Sequence, residues 1–530
     1  MTKADSIKIS AQQIKDIRGR LSNGEISSED IKVLLIIIDL FIGIRSALES
    51  KSTQLSKWLR RIFGLKTEKS SQKGRKKSPE SKDRSKLNKG RNGRNDFPGA
   101  NKVNVPHPNC KPGNQCPECL SGKLREAEPA VDYDWQGHTP ITLTIYLLQR
   151  LICNTCKTSF TAPSPVADTA HTVDDSADEK PASRCDRNAM ANAVVAIFRF
   201  WFGIATYRLA KIQGSLGIGL PEGTQYKMIR QVYEAAYPVY EHLIYQAAQG
   251  SQIMADDTSI KIYDWLSGRG PPTKNGTPRK KAVTSAIISK SAEGHDIVLY
   301  LTGGNQAGSN VRKILANRKL DLPIPQYMCD GLAANKVGDI TVIQLHCLDH
   351  ARRRFYELAS VFPKECDYVI GELKKVYKAE SEAKIENLSP SDRMKYHKEH
   401  SQPVMESLGK WMYEQIETGS VEENSDLGRD IKYVLDRWTE LNEFCHIEGA
   451  ALSNSECERA IKSIITHRKN SLAYKTLAGA HTGDVIQSMI ATCERSKVNF
   501  FKYLEWLQMN KSQVAVAPER FTPWAYAASC

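Results

Sequence analysis

Apolar and polar residues alternate along much of the segment between residues 251 and 350, and a period of two is typical of β-strands. Three successive runs with turn residues between them predict an antiparallel meander, and a helix and two shorter strands follow. The helix is expected to begin at Ser309 or Asn310, either of which can cap it. The predicted strands cover 252–265, 279–292, 295–304, 326–331 and 341–350, and the predicted helix covers 309–320.

Helical periodicity dominates the rest of the chain after residue 185. Residues 185–249 contain two predicted helices around a glycine-rich turn. They form either a helix-turn-helix DNA-binding domain or ordinary packed helices, and the lack of recognisable base-reading side chains favours packing. Residues 352–449 are predicted to be a helical insertion, and residues 476–530 a C-terminal helical region with a tail.

The order of the predicted elements indicates the fold class. A three-stranded meander, then a helix and further strands, is the plan of a ribonuclease-H-like fold. The chain is therefore predicted to be a multidomain α/β protein, with that core formed by residues 250–351 and 450–475.

A seven-residue repeat of apolar positions marks the N-terminal region and is typical of a coiled coil. Residues 28–64 are either a leucine-zipper-like self-association helix or an amphipathic helix packed on its own protein, because Arg45 and Ser52 interrupt the second seam. The apolar run at 33–44 contains Asp39 and is much shorter than the ~20 residues of a membrane span, so no transmembrane segment is predicted. The repeat consists of Leu34, Phe41, Leu48, Leu55 and Ile62, with Ile31, Ile38 and Leu59 three positions ahead of three of them.

The formal net charge of +14 predicts a polyanionic partner. Residues 66–94 alone hold twelve Lys or Arg against three acidic residues. Residues 65–105 have too few apolar residues to form a core, so they are predicted to be a basic disordered linker. The same linker can also serve as a DNA-contacting arm.

Two Cys-x-x-Cys pairs predict a structural zinc site within residues 106–163. Cys116 with Cys119 and Cys153 with Cys156 supply four thiolates, the usual tetrahedral set for Zn²⁺, and four core thiols are the alternative. Cys110 fits poorly as a substitute ligand because of its spacing. The odd total of thirteen cysteines, with no apolar leader, predicts reduced thiols and a cytosolic setting.

Acidic residues at three separated positions are candidates for catalysis. Asp256 and Asp257 lie on the first predicted strand, Asp330 ends the fourth, and Glu458 lies on a helix that Asn454 or Ser455 can cap. Most acidic residues are surface charges, but carboxylates at apolar strand ends are costly without a counter-charge. Together they predict a divalent-metal site for phosphoryl transfer on nucleic acid.

Basic residues share the predicted helix face of Glu458. Lys462 and Lys469 follow it by four and eleven positions, so both can lie beside it and hold substrate phosphates.

Several motifs occur in one order along the chain and resemble a known family. They are MADDTS, YMCDG, HCLDHARRRF, NSECERAI and HRKNS, together with RIFGLKTEK before the basic linker and the two cysteine pairs. The chain resembles the large transposase of the insertion-sequence-sixty-six family, the TnpC type, from about residue 31 to 510. The resemblance implies a DDE transposase with a zipper-like segment, a zinc-binding domain and a ribonuclease-H-like domain that holds Mg²⁺ or Mn²⁺.

The resemblance also implies residue roles. Asp256, Asp330 and Glu458 correspond to the catalytic metal ligands of the family. The supporting or phosphate-contacting residues would be Asp257, His350, Arg352, Arg353, Arg459, Lys462, Arg468 and Lys469. The chain departs from the usual motifs at Asp257 for Glu, at Asp349 for Ala, and around Ser453–Ser455 and His467–Ser471.

The implied partners are the double-stranded DNA of the element ends and of the target. A homo-oligomer would bring two ends together, accessory proteins of the same element can take part, and the setting would be a bacterial cytoplasm at the nucleoid, with no membrane. The alternatives are a catalytically inactive, transposase-derived DNA-binding protein and a nuclease of the same fold.

Overall fold

Residues 11–38, 40, 41, 43, 51, 112–115, 123, 140–141, 149–152, 159–161, 188–273 and 275–529 are described by a computed structural model. The chain divides into two units, residues 1–62 with 140–530, and residues 63–139. In the second unit the described residues contain one antiparallel bridge, between Gln115 and Lys123. No helix within the described ranges is long and apolar enough to cross a bilayer.

The N-terminal region begins with two helices, α1 (Ala11–Ser22) and α2, which begins at residue 28 and is described to residue 38. Arg20 on α1 forms an ion pair with Asp30 on α2 at 2.6 Å, which ties the two helices together. Two repeat positions in this region are open to solvent, since Ile38 is 52% and Phe41 67% exposed.

Other predicted features of the N-terminal third lie outside the described residues. They are the repeat positions Leu48, Leu55, Leu59 and Ile62, the basic run 66–94, and the cysteines Cys110, Cys116, Cys119, Cys153 and Cys156. A short antiparallel pair, β1 (Arg150–Ile152) and β2 (Ser159–Thr161), is described just before and after the second cysteine pair.

A five-stranded mixed sheet forms the centre of the larger unit. β3 (Gln252–Ile260), β4 (Ala282–Lys290) and β5 (Asp296–Gly303) form the predicted antiparallel meander, which is confirmed. β6 (Gln326–Cys329) pairs parallel to β3, and β7 (Ile343–His346) pairs parallel to β6. The strand order is β5-β4-β3-β6-β7, so the strand that carries Asp256 is central.

Helices account for most of the remaining described chain. They are α3 (Ala189–Phe200), α4 (Thr206–Ser215), α5 (Glu222–Gln249), α6 (Ala307–Leu315), α7 (Leu348–Leu358), α8 (Pro363–Ile385), α9 (Pro390–His400), α10 (Gln402–Glu417), α11 (Asp426–Leu435), α12 (Trp438–Asn442), α13 (Ser455–Ser471), α14 (Leu477–Arg495), α15 (Phe500–Met509), α16 (Lys511–Val516) and α17 (Pro523–Ser529).

The helices cover both faces of the sheet. Successive strand residues point to opposite faces, so Ile253 and Ala255 pack with α3, α5, α6, α14 and α15, whereas Met254 packs with α7, α8, α10, α11 and α13. The helices between 188 and 249 therefore bury their apolar residues in the core of the sheet itself. The helices between β7 and α13 cover the other face.

The edge strand β5 is sealed by polar side chains of α14. An unpaired edge exposes backbone donors, and here alternate N–H groups of β5 donate to side chains one turn apart on the helix. The donor–acceptor pairs are Thr302 with Asp484, Tyr300 with Ser488 and Val298 with Thr492, at 2.7, 2.9 and 3.1 Å. The C-terminal helical region thus completes the sheet.

Asp484→Ala is expected to lower the free energy of unfolding by about 1–3 kcal/mol, because the buried Thr302 N–H loses its acceptor. Asp484→Asn keeps an acceptor and is the matched control. Burial raises the pKa of Asp484 to about 7, so the wild type should lose stability relative to Asp484→Asn as the pH rises from about 4 to 7. Urea unfolding at several pH values measures both effects, and equal stability of the Ala variant and the wild type would contradict this role of Asp484.

Candidate active site

Asp256 lies midway along β3, and Asp330 directly follows the carboxyl end of the parallel strand β6. Met254 on β3 is in register with Met328 on β6, so two residues further along each strand Asp256 comes opposite Asp330. Both follow the alternation of the methionines and face the layer that contains α13. The side chain of Asp330 is held by the Leu332 N–H and the Asn335 amide, which donate to its Oδ1 at 3.0 and 2.6 Å.

Glu458 reaches the same face from the first turns of α13. Asn454 takes the N-cap position, as one of the two predicted candidates, but its side chain donates to the Ala255 carbonyl at 2.9 Å instead of capping the helix. The Cys457 thiol donates to the Ala286 carbonyl at 3.1 Å. These two contacts fix the start of α13 on the strands beside Asp256.

The electrostatics of the site reflect this crowding of acids. Burial, together with the negative charges of Asp330, Glu458 and Asp257, raises the pKa of Asp256 to about 7 against one backbone hydrogen bond that lowers it. An ionised Asp256 is therefore costly in the absence of a cation.

Asp257 faces the opposite side of the sheet. Its carboxylate accepts hydrogen bonds from the Ser285 hydroxyl at 2.7 Å and from the Ala307 N–H at 2.9 Å. Ala307 is the first residue of α6, so the carboxylate lies at the positive end of that helix. This tertiary acceptor explains why α6 begins two residues before the predicted Ser309, with no capping side chain of its own.

The predicted basic residues on α7 are divided between two environments. His350 Nε2 and Arg353 Nη2 lie 3.7 and 3.6 Å from Glu458 Oε1. Arg352 instead places its guanidinium 5.4 Å from the centre of the Tyr377 ring. His350 and Arg353 therefore belong to the carboxylate cluster, and Arg352 packs on α8.

The predicted basic residues on α13 are divided as well. Lys462 and Lys469 are exposed on the helix face that begins with Glu458. Arg468 donates to the Thr258 hydroxyl at 3.0 Å and to the Ser259 carbonyl at 2.5 Å, which ties the end of α13 to the end of β3. Arg459 lines a separate cleft beside Tyr300, so it is not brought to the carboxylates.

Residues of the helical insertion that sequence reasoning missed hold the backbone at Asp330. The Tyr433 hydroxyl donates to the Asp330 carbonyl at 2.7 Å, and Arg437 Nε donates to the Gly331 carbonyl at 3.2 Å. Arg354 and Arg437 lie over the Tyr433 ring at 3.9 and 4.2 Å from its centre. No signal in the sequence marks these residues, because a tyrosine in a helical segment is usually an ordinary packing residue.

The tight approach at Gly331 depends on glycine. Its φ is 77°, in the left-handed region, and a Cβ there would lie 3.0 Å from the Tyr433 hydroxyl. The contacts of Tyr433 and Arg437 with the backbone at Asp330 and Gly331 are here called the Tyr433 clamp. The clamp borders a cleft of about 300 Å³ that Asp330, His350, Arg353, Arg354, Asp430 and Tyr433 help to line.

The family resemblance implies a bound divalent metal ion, and the side chains at this site can be compared with the ligands that such an ion requires. Carboxylate oxygens suit a hard cation such as Mg²⁺, and the buried Glu458 Oε1 accepts no hydrogen bond from the described residues. The chemistry of the donors therefore fits. Within the described residues, no group of three or more His, Cys, Asp or Glu side chains is arranged to hold an ion.

Comparison with known proteins gives a family match over the whole of this site. Residues 184–482, more than half of the chain, match the model of the transposase IS66 family. The uncharacterized protein y4jD of Sinorhizobium fredii is 25% identical over 318 residues, which is 59% of this chain and 60% of that protein. The uncharacterized protein y4hP of the same organism is 24% identical over 337 residues, 58% of this chain and 57% of that protein. The chain thus spans about three fifths of the length of these relatives.

Proposed function

Because the chain belongs to the IS66 family of transposases, we propose that it is a DDE transposase that cleaves DNA at element ends and joins those ends to target DNA in a Mg²⁺-dependent reaction. The observation that carries the proposal is the meeting of Asp256, Asp330 and Glu458 on one face of a central parallel strand pair. The strand order β5-β4-β3-β6-β7, with an antiparallel meander and two parallel strands, supports a ribonuclease-H-like core.

The three carboxylates would hold the divalent ions. Bound Mg²⁺ or Mn²⁺ supplies activation of a water or a DNA 3′-hydroxyl and stabilisation of the leaving oxygen. His350 and Arg353 hold the Glu458 carboxylate from the side of α7. Asn335 orients Asp330, and the Tyr433 clamp fixes the backbone that carries it.

The remaining predicted residues would bind or support DNA around this centre. Lys462 and Lys469 would contact phosphates along α13, and Arg468 would hold that helix on β3. Asp257 would act indirectly by fixing α6 on the sheet. Arg352 would support α7 by packing on α8, and Arg459 would line the neighbouring cleft.

We also infer the assembly around the catalytic core. The exposed Ile38 and Phe41 support a self-association helix in residues 28–64, covered by a second copy. Cys116, Cys119, Cys153 and Cys156 would bind structural Zn²⁺, and the basic linker would contact the DNA duplex. Accessory proteins of the element would join this assembly at the nucleoid of a bacterial cytoplasm.

The purified protein is expected to cut duplexes that carry the DNA flanking its own gene, and to join the new 3′-ends to a second duplex, when Mg²⁺ is present. Denaturing gels with end-labelled DNA separate the three candidate functions. Cutting with joining supports the transposase, cutting without joining supports the nuclease, and binding without cutting supports an inactive DNA-binding copy. EDTA should abolish both products, and products formed in EDTA would rule out metal-dependent chemistry.

A further inference from the structure

Residues 261–281, here called the β3–β4 arm, leave the sheet at the edge where β3 ends. The arm is fastened to the segment between α13 and α14 by three backbone hydrogen bonds. Tyr263 N–H donates to the Tyr474 carbonyl at 2.9 Å, Tyr474 N–H to the Lys261 carbonyl at 3.0 Å, and Asp264 N–H to the Lys475 carbonyl at 3.1 Å. Trp265 anchors it further, being only 3% exposed in the core.

The outer part of the β3–β4 arm is also ordered by its own contacts. The Arg279 N–H donates to the Pro271 carbonyl at 2.8 Å, and the Arg279 side chain donates to the Gly304 carbonyl at 2.7 Å. Gly270 allows this turn, because a Cβ there would lie 1.9 Å from the Arg279 carbonyl oxygen. The arm is therefore a projection whose backbone is fixed by hydrogen bonds.

The charge of this surface is strongly positive. The β3–β4 arm contains six Lys or Arg and one acid, Asp264, which is paired with Arg269 at 2.5 Å. Lys261, Lys280 and Lys281 are exposed and form no ion pair with any described residue. By contrast, Lys290 at the end of β4 is paired with Asp296 at 2.7 Å. Unpaired lysines grouped on one projection are typical of a phosphate-binding surface.

The β3–β4 arm continues a basic strip that begins at the carboxylates. Glu458, Lys462 and Lys469 share one face of α13, and eleven residues of helix span about 16 Å. Arg468 reaches the Ser259 carbonyl, just before the arm begins at Lys261. Duplex DNA rises about 3.4 Å per base pair, so a duplex that lies along α13 from the carboxylates reaches the arm after about five base pairs.

We propose that the β3–β4 arm binds the phosphate backbone of the DNA duplex about five base pairs from the bond that is cut. This inference rests on the proposed function, since it takes the carboxylates as the place of cutting. The arm then sets which phosphate reaches the carboxylates, because a duplex held at two points along α13 cannot slide.

The test compares two triple variants that remove the same charge. One variant carries Lys261→Gln, Lys280→Gln and Lys281→Gln on the arm. The control carries Lys364→Gln, Lys374→Gln and Lys398→Gln, three exposed lysines without ion pairs among the described residues, on α8 and α9. Binding of the full-length proteins to a duplex with a cleavable end is measured by fluorescence anisotropy over a range of salt concentrations.

The arm variant is expected to lose about two to three units from the slope of log K against log salt, since each lost phosphate contact removes about 0.9. Hydroxyl-radical footprinting should show that it also loses backbone protection about five base pairs from the cut, whereas the control keeps both properties. A wild-type slope and footprint in the arm variant would overturn the inference while leaving the transposase proposal intact. Binding and protection by the arm without any cutting by the wild type would instead count against the proposed function, and a wild type that binds no duplex would overturn both.

Discussion

Glu458→Gln is expected to abolish Mg²⁺-dependent cleavage and joining while DNA binding stays within a few-fold of wild type. Gln keeps the size of the side chain, but it removes the negative charge that a divalent cation requires from its third carboxylate. A loss of about 10³-fold or more, equivalent to about 4 kcal/mol of transition-state stabilisation, is expected in single-turnover cleavage of end-labelled duplex. The phosphate-binding lysines on α13 and the arm remain, so anisotropy should report nearly unchanged affinity.

Glu456→Gln is the matched control for this prediction. Glu456 lies in the same first turn of α13, but it points to another side and pairs with Arg495 at 2.9 Å. The control should cleave at close to the wild-type rate, which separates the charge at the site from any general effect on α13. Cleavage at the wild-type rate by Glu458→Gln would rule out Glu458 as the third carboxylate that holds the metal ions.

Asp256→Asn is expected to stabilise the metal-free protein and, at the same time, to remove its activity. Burial raises the pKa of Asp256 from its ordinary value near 4 to about 7, so the folded state holds a proton that the unfolded state has lost. The wild type therefore loses stability as the pH rises from about 4 to 7, by up to about 4 kcal/mol at pH 8. Asn removes this cost, and its Oδ1 can still accept from the Asp257 N–H, as Asp256 does at 2.8 Å.

Thermal melts at pH 8 in EDTA should therefore place Asp256→Asn above the wild type. Added Mg²⁺ should raise the melting temperature of the wild type but not of the variant, because a ligand stabilises only a fold that binds it. A variant that melts below the wild type in EDTA, or that still cleaves DNA, would contradict the role of Asp256.

The neighbouring acid supplies the contrast. Asp257→Ala should lower stability by about 1–3 kcal/mol, because it strips the acceptor from the Ser285 hydroxyl and the Ala307 N–H. Asp257→Asn keeps one acceptor on the same face and should retain cleavage within about tenfold of wild type. Two adjacent aspartates would then respond in opposite directions, since they lie on opposite faces of β3.

Much of the fold could be predicted from the sequence because its local patterns are strong. The meander of β3, β4 and β5 alternates clearly between apolar and polar residues, and turn residues divide it. The predicted start of α6, at Ser309 or Asn310, was two or three residues late, since the side chain that meets its first N–H belongs to Asp257, fifty residues earlier. Local rules for helix capping cannot detect an acceptor that is distant in sequence and is brought close only by the folded sheet.

The candidate site was less accessible to sequence reasoning where its contacts are long-range. The acidic positions could be singled out, and strand periodicity already separates Asp256 from Asp257. The Tyr433 clamp on Asp330 and the α14 side chains along β5 could not be found, because each joins residues more than a hundred positions apart. Their residue types are ordinary for helices and carry no motif.

The sequence by itself determined the strands of the meander, the helical character of the long segment after β7, and the family to which the chain belongs. These follow from local periodicity and from short motifs, which do not need the folded chain to be recognised. Only the tertiary structure decided that Asp256 faces α13 while Asp257 anchors α6, that Arg459 turns away from the carboxylates, and that a basic arm continues the strip along α13. The reason is physical: the side of a strand or helix that meets a given partner depends on how distant elements pack, and that packing minimises buried charge and unpaired polar groups over the whole molecule.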